Sequence, residues 1–145
     1  MKSVFIIEDD INILYGLRDL FASNDYEVRT SDANDSLENL LDQMRKFKPR
    51  IIILDLVLPK LDGLEIVRKI KEDDALTSSE IFIFTDLSDE DGRSRSVGLG
   101  ANYYFVKNEF DIYSFANRIM RIMDRDDKHF EEEDQDDNFD DLVMN

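Results

Sequence analysis

The sequence predicts an α/β fold, a doubly wound five-stranded parallel sheet with helices on both faces. Two observations carry this. Residues 4–7, 51–54, 81–84 and 103–106 are continuous rather than alternating apolar runs, as strands buried on both faces are. Segments with apolar residues at helical spacing separate them, which is the alternation of β-α-β units. A third observation locates the chemistry. The four runs end in Glu8-Asp9-Asp10, Asp55, Thr85 and Lys107. Ligands of a parallel sheet bind outside the carboxyl ends of its strands. Carboxylates, a hydroxyl and an ammonium are therefore expected at one sheet edge.

The elements follow in order. After the first strand, Ile13, Leu14, Leu17, Leu20 and Phe21 fit one helical face. Asn24-Asp25 reads as a turn and residues 26–30 as a short strand. Ser31-Asp32 is read as the cap of a second helix, whose face is Leu37, Leu40, Leu41 and Met44. Pro49 ends it before the strand that leads to Asp55. Pro59 and Asp62-Gly63 mark a loop, and Leu64, Val67 and Ile70 the third helix. Residues 88–99 complete the alternation as a poor helix, with two glycines, three serines and few apolar anchors. Ile112, Phe115, Ala116, Ile119, Met120 and Met123 form the last helical face.

The 145 residues suit one domain of ordinary size. The reading divides them into a folded domain, 1–124, and an acidic, largely disordered tail, 125–145. Of the net charge of −16, −9 falls in residues 124–145, with eleven acidic and two basic residues, and −7 elsewhere. Neither part offers the basic stripe that nucleic acid requires. The absence of Cys excludes disulfides and thiolate metal sites. With no signal-peptide pattern and no long apolar stretch, the expectation is a cytoplasmic protein away from membranes. Carboxylates without neighbouring Cys or His suit a hard dication, Mg²⁺ above all. A hydroxyl and an ammonium facing it suit a phosphoryl oxygen.

Taken together these residues resemble a response-regulator receiver domain, the phosphoacceptor half of two-component signalling. The resemblance covers roughly residues 3–123 and rests on features in fixed order: Glu8-Asp9 after the first strand, Asp55 after the third, the Pro-x-x-Asp-Gly segment 59–63, Thr85 and Lys107. It implies the flavodoxin-like strand order 2-1-3-4-5. It implies that Asp55 accepts a phosphoryl group from a sensor histidine kinase or a histidine phosphotransfer protein. Mg²⁺ would be held by Glu8, Asp9 and Asp55, with Glu8 acting mainly through metal-bound water. Thr85 would close on the phosphoryl oxygen, Lys107 would pair with it, and Tyr104 would be the aromatic whose rotamer reports activation. A downstream protein would bind the face of the fourth helix, fifth strand and fifth helix.

The alternatives within the fold are a phosphorelay intermediate and a phosphorylation-independent interaction module. An FMN-binding protein of the same fold would need a phosphate loop after the first strand, and Glu8-Asp9-Asp10 repels phosphate. The chain is read as a stand-alone switch and not a metabolic enzyme, one that catalyses its own phosphorylation and slow dephosphorylation. It departs from the family in Asn108, where Pro is usual, and in Asp86, where a small residue is usual. In receivers the residues two after the acceptor and two after the Thr border the path of hydrolytic water. Here they are Val57 and Leu87, both apolar.

Overall fold

Apolar strands in this chain are covered on both sides, and this sets the architecture. The computed structural model describes residues 2–131, and the side chains of 2–127. The elements are β1 (Ser3–Ile7), α1 (Ile11–Ala22), β2 (Glu27–Ser31), α2 (Leu37–Phe47), β3 (Ile51–Leu54), α3 (Gly63–Glu72), β4 (Glu80–Thr85), α4 (Glu90–Gly98), β5 (Tyr103–Val106) and α5 (Ile112–Glu131). The strands are all parallel, in the order β2-β1-β3-β4-β5.

Because side chains alternate along a strand, each central strand feeds two cores. Val4, Ile6, Ile51, Ile53, Phe82, Phe84 and Phe105 pack against Leu14, Leu17 and Phe21 of α1 and Phe115, Ala116 and Ile119 of α5. Phe5, Ile7, Ile52, Leu54, Ile81, Ile83 and Val106 pack against Leu40, Leu41 and Met44 of α2 and Ile66, Val67 and Ile70 of α3. Each such large side chain contributes roughly 1.5–3 kcal/mol on burial.

Local starts and stops differ in detail from the sequence reading. Ser36, not Ser31-Asp32, caps α2, its hydroxyl accepting from the Asn39 N–H at 3.1 Å. Ser31 instead completes β2. Asp10 caps α1 by accepting from the N–H groups of Asn12 and Ile13. Asp89 caps α4, which buries Gly92 and Ser96. All described peptide bonds are trans, Lys107–Asn108 included.

The last helix runs on past the start of the acidic stretch to Glu131. Arg50, just before β3, pairs with Asp127 through both terminal guanidinium nitrogens. Residues 132–145, where most of the expected acidic tail falls, lie outside the described residues.

Beside that ion pair, Glu80 opens β4 with a buried Oε1 that has no hydrogen-bond partner among the described residues. Burial raises its carboxyl pKa and Asp126 adds to the rise, while Arg50 and Lys71 oppose it. A carboxyl raised above its unfolded value binds more protons in the folded state, so stability falls as pH rises from about the ordinary value of 4.5 through the folded one. Glu80→Gln removes the charge and is expected to stabilise the protein at neutral pH by about 1 kcal/mol. Thermal melts across pH should show a flatter profile for the variant. An identical profile would show that Glu80 is not under strain.

Candidate functional site

Parallel register brings the strand-end residues together. Ile7 pairs with Leu54 and Thr85 with Val106, so the residues that follow β1, β3 and β5 emerge side by side with the last residue of β4. The edge is tied by backbone bonds from the Asp55 N–H to the Ile7 carbonyl (3.2 Å) and from the Lys107 N–H to the Thr85 carbonyl (2.7 Å). Glu8, Asp55 and Thr85 are buried there, while Asp9 is exposed.

Lys107 is the electrostatic centre. Its Nζ lies 2.8 Å from Asp55 Oδ2 and 3.0 Å from Glu8 Oε1. Burial raises the Glu8 pKa to about 7 and the Asp55 charge adds to it, against the Asp10 N–H and the Lys107 charge. For Lys107 burial acts downward, but the hydrogen bond to Asp55 and the charges of Glu8 and Asp55 outweigh it, and its pKa is raised. The second oxygen of Asp55, Oδ1, accepts from the Val57 N–H at 3.0 Å. The Asp55 carboxylate is thus oriented from both sides.

Glu8, Asp9 and Asp55 each offer one carboxylate oxygen, and these atoms lie within 4.8 Å of one another. An all-oxygen set of this charge fits Mg²⁺. A ligand that binds only the folded state stabilises it by mass action, by about 2.7 kcal/mol at 100 times Kd. Millimolar Mg²⁺ is therefore expected to raise the melting temperature, and to raise it much less in Asp9→Asn. An equal rise in both would remove Asp9 from the metal site.

Thr85 and Tyr104 meet at Leu87. The Leu87 N–H donates to Thr85 Oγ1 at 3.3 Å, and the Tyr104 hydroxyl donates to the Leu87 carbonyl at 2.6 Å. Leu87 Cδ2 rests against Gly92, where a Cβ would lie only 2.6 Å from it. The structure thus brings Glu8, Asp9, Asp55, Thr85 and Lys107 to one edge and sets Tyr104 beside the loop after β4. Sequence reasoning missed the structural part of Asp10, which caps α1 and whose N–H binds Glu8 Oε2 at 3.0 Å. An Asp just before a helical pattern is itself a capping signal. It also missed Leu87 as a hub, because both its polar contacts are made by backbone atoms.

Residues 4–119 match the family model described as the response regulator receiver domain. Response regulator ArlR of Staphylococcus aureus (strain Mu50) is 36% identical over 126 residues, 86% of this chain and 54% of ArlR. The chain spans about half the length of the curated relatives it matches. Among solved structures, response regulator DrrB, described as a Thermotoga maritima OmpR/PhoB homolog, superposes with a TM-score of 0.73 at 26% identity, covering 87% of this chain and 54% of that one. Chemotaxis protein CheY4 of Vibrio cholerae gives a TM-score of 0.73 at 21% identity, covering 83% and 98%, a likeness of fold.

Proposed function

The chain belongs to the response regulator receiver family, and from that premise we propose that it is a phosphoacceptor switch with Asp55 as the acceptor. The observation that supports this most is the convergence of a buried, two-sidedly oriented carboxylate with Lys107 and the Thr85 hydroxyl. An Asp55 oxygen bonds to phosphorus as the bond from phosphorus to the donor's histidine nitrogen breaks, and the imidazole leaves with the bonding pair. Phosphoryl transfer needs positioning and charge neutralisation more than covalent assistance. Val57 and Lys107 hold the carboxylate for attack. Lys107 then follows the charge onto a phosphoryl oxygen, and the Thr85 hydroxyl donates to another. Mg²⁺ held by Glu8, Asp9 and Asp55 would neutralise further charge on the transferred group.

The donor in this reading is a sensor histidine kinase or a histidine phosphotransfer protein, and a cytoplasmic setting goes with it. Among the described residues no helix is long and apolar enough to cross a membrane. The output is a protein that binds the α4–β5–α5 face. Phosphotransfer profiling against the host's histidine kinases tests the reading. One kinase is expected to phosphorylate the chain ahead of the others. Transfer onward to a second histidine protein would make it a relay, and failure with every kinase and small donor would leave an interaction module.

The phosphorylated state is expected to be long-lived. Val57 is exposed beside Asp55 and Leu87 lies near Thr85, and neither orients an attacking water. Val57→Asn with Leu87→Glu should shorten the lifetime on the order of tenfold, about 1.4 kcal/mol of barrier. Since Leu87 also packs on Gly92, Val57→Asn alone separates the hydrolytic effect from loop disturbance. Decay no faster than the parent after donor removal would acquit both positions.

A further inference from the structure

The contact on the outer face of Tyr104 is made by α4. Tyr104 is 9% exposed, with its hydroxyl held by the Leu87 carbonyl. The guanidinium carbon of Arg93 lies over its ring, 4.8 Å from the centroid. Along the same helix Arg95 is matched by Asp91 at 3.7 Å. The guanidinium of Arg93 has no carboxylate partner among the described residues and is committed to the ring. We propose that Arg93 is a positioning residue for the switch, its guanidinium clamping the Tyr104 ring inward and thereby, through Leu87, favouring the arrangement in which Thr85 engages the phosphorylated acceptor. The inference rests on the phosphoacceptor reading above.

Three features carry it. Leu87 contacts Thr85 through its N–H, Tyr104 through its carbonyl and Gly92 of α4 through its side chain. Displacement of Thr85 toward Asp55 therefore acts on the aromatic and on the helix through one residue. Next, interiors stay close-packed, so space vacated as Thr85 moves toward Asp55 is best filled by a ring already turned inward. Arg93 favours that ring position from the solvent side. Finally, Arg93 lines a groove of about 790 Å³ together with Glu90, Val97, Glu109 and Phe110. A protein seated there would touch the clamp directly. Binding that favours the clamped ring must be favoured by it in return, to the same factor.

An exposed cation–π contact is modest, and the expected effects are correspondingly about two- to fivefold. In Arg93→Ala the outward population of the Tyr104 ring, read by NMR of tyrosine-labelled unphosphorylated protein, should rise by that factor. The initial rate of phosphorylation by a small phosphodonor should fall by a similar one. Arg93→Lys, which keeps a cation, should restore part of both, and Arg93→Gln neither. In a Tyr104→Ala background Arg93→Ala should add nothing to the rate. Unchanged Tyr104 resonances in Arg93→Ala would overturn the proposal, as would a rate effect that persists undiminished without the ring. The NMR measurement does not depend on Asp55. A parent that accepts no phosphoryl group would therefore defeat the phosphoacceptor reading, and the coupling to Thr85 with it, while the ring population still decides whether Arg93 clamps Tyr104.

Discussion

Asp55→Asn is expected to accept no phosphoryl group, whereas the parent, given a small phosphodonor and Mg²⁺, is expected to gain one that maps to residue 55. The substitution keeps the shape of the side chain and removes the nucleophile, since an amide offers no ionised oxygen to attack phosphorus. The fold should survive it. Lys107 keeps its second partner, Glu8 Oε1, at 3.0 Å, and the amide oxygen of the variant can still accept from the Val57 N–H as Asp55 Oδ1 does. The expected change is therefore complete in chemistry and small in stability, a combination that general unfolding would not produce. Mass spectrometry of the intact chain and of its peptides is the check. An adduct at another residue, or one retained in Asp55→Asn, would end the assignment of the acceptor.

Gly63→Ala should unsettle the site without touching any of its polar groups. Gly63 opens α3, and its Cα faces the backbone of Leu56, the residue after Asp55. A Cβ there would lie 2.4 Å from Leu56 Cα and 2.7 Å from its carbonyl oxygen. A side chain could swing away from such a contact, but backbone cannot. Overpacking of this kind costs roughly 1–3 kcal/mol or more. At about 2–4 °C per kcal/mol for a chain near this size, the melting temperature should fall by several degrees. Because Leu56 adjoins Asp55, phosphorylation should slow as well. Gly98→Ala is the control. A Cβ at Gly98 meets nothing within 4 Å, so that change should be neutral or slightly stabilising. Equal melting temperatures for the two variants would show that the 56–63 approach is not tight.

These two glycines also show what local sequence conveys. Asp62-Gly63 reads as a turn, yet the reason for glycine is a contact seven residues back along the chain. The strands were legible because helices cover both faces, which leaves continuous apolar runs with a polar residue at each carboxyl end. The same rule made Asp55, Thr85 and Lys107 legible as candidates, and register then placed them side by side. Helix α4 was the hardest to read. It buries Gly92 and Ser96, so its buried residues are small and no apolar stripe marks the helix. Arg93 over Tyr104 and the hub at Leu87 depend on that seating and left no local signal. The acidic composition after Asp124 likewise hid the continuation of α5, which is tied by Asp127 to a partner 77 positions earlier in the chain.

The reach of α5 has a spatial consequence. The helix starts at Ile112, five positions after Lys107, and its twenty residues extend about 30 Å. Asp127, near its far end, meets Arg50 just before β3, the strand whose other end leads to Asp55. The far end of the described helix is thus roughly a domain's width from the Asp55 carboxylate. A molecule seated at the Asp55 edge therefore has the length of the domain between it and Asp127. Helix α5 is the shaft that joins these two poles.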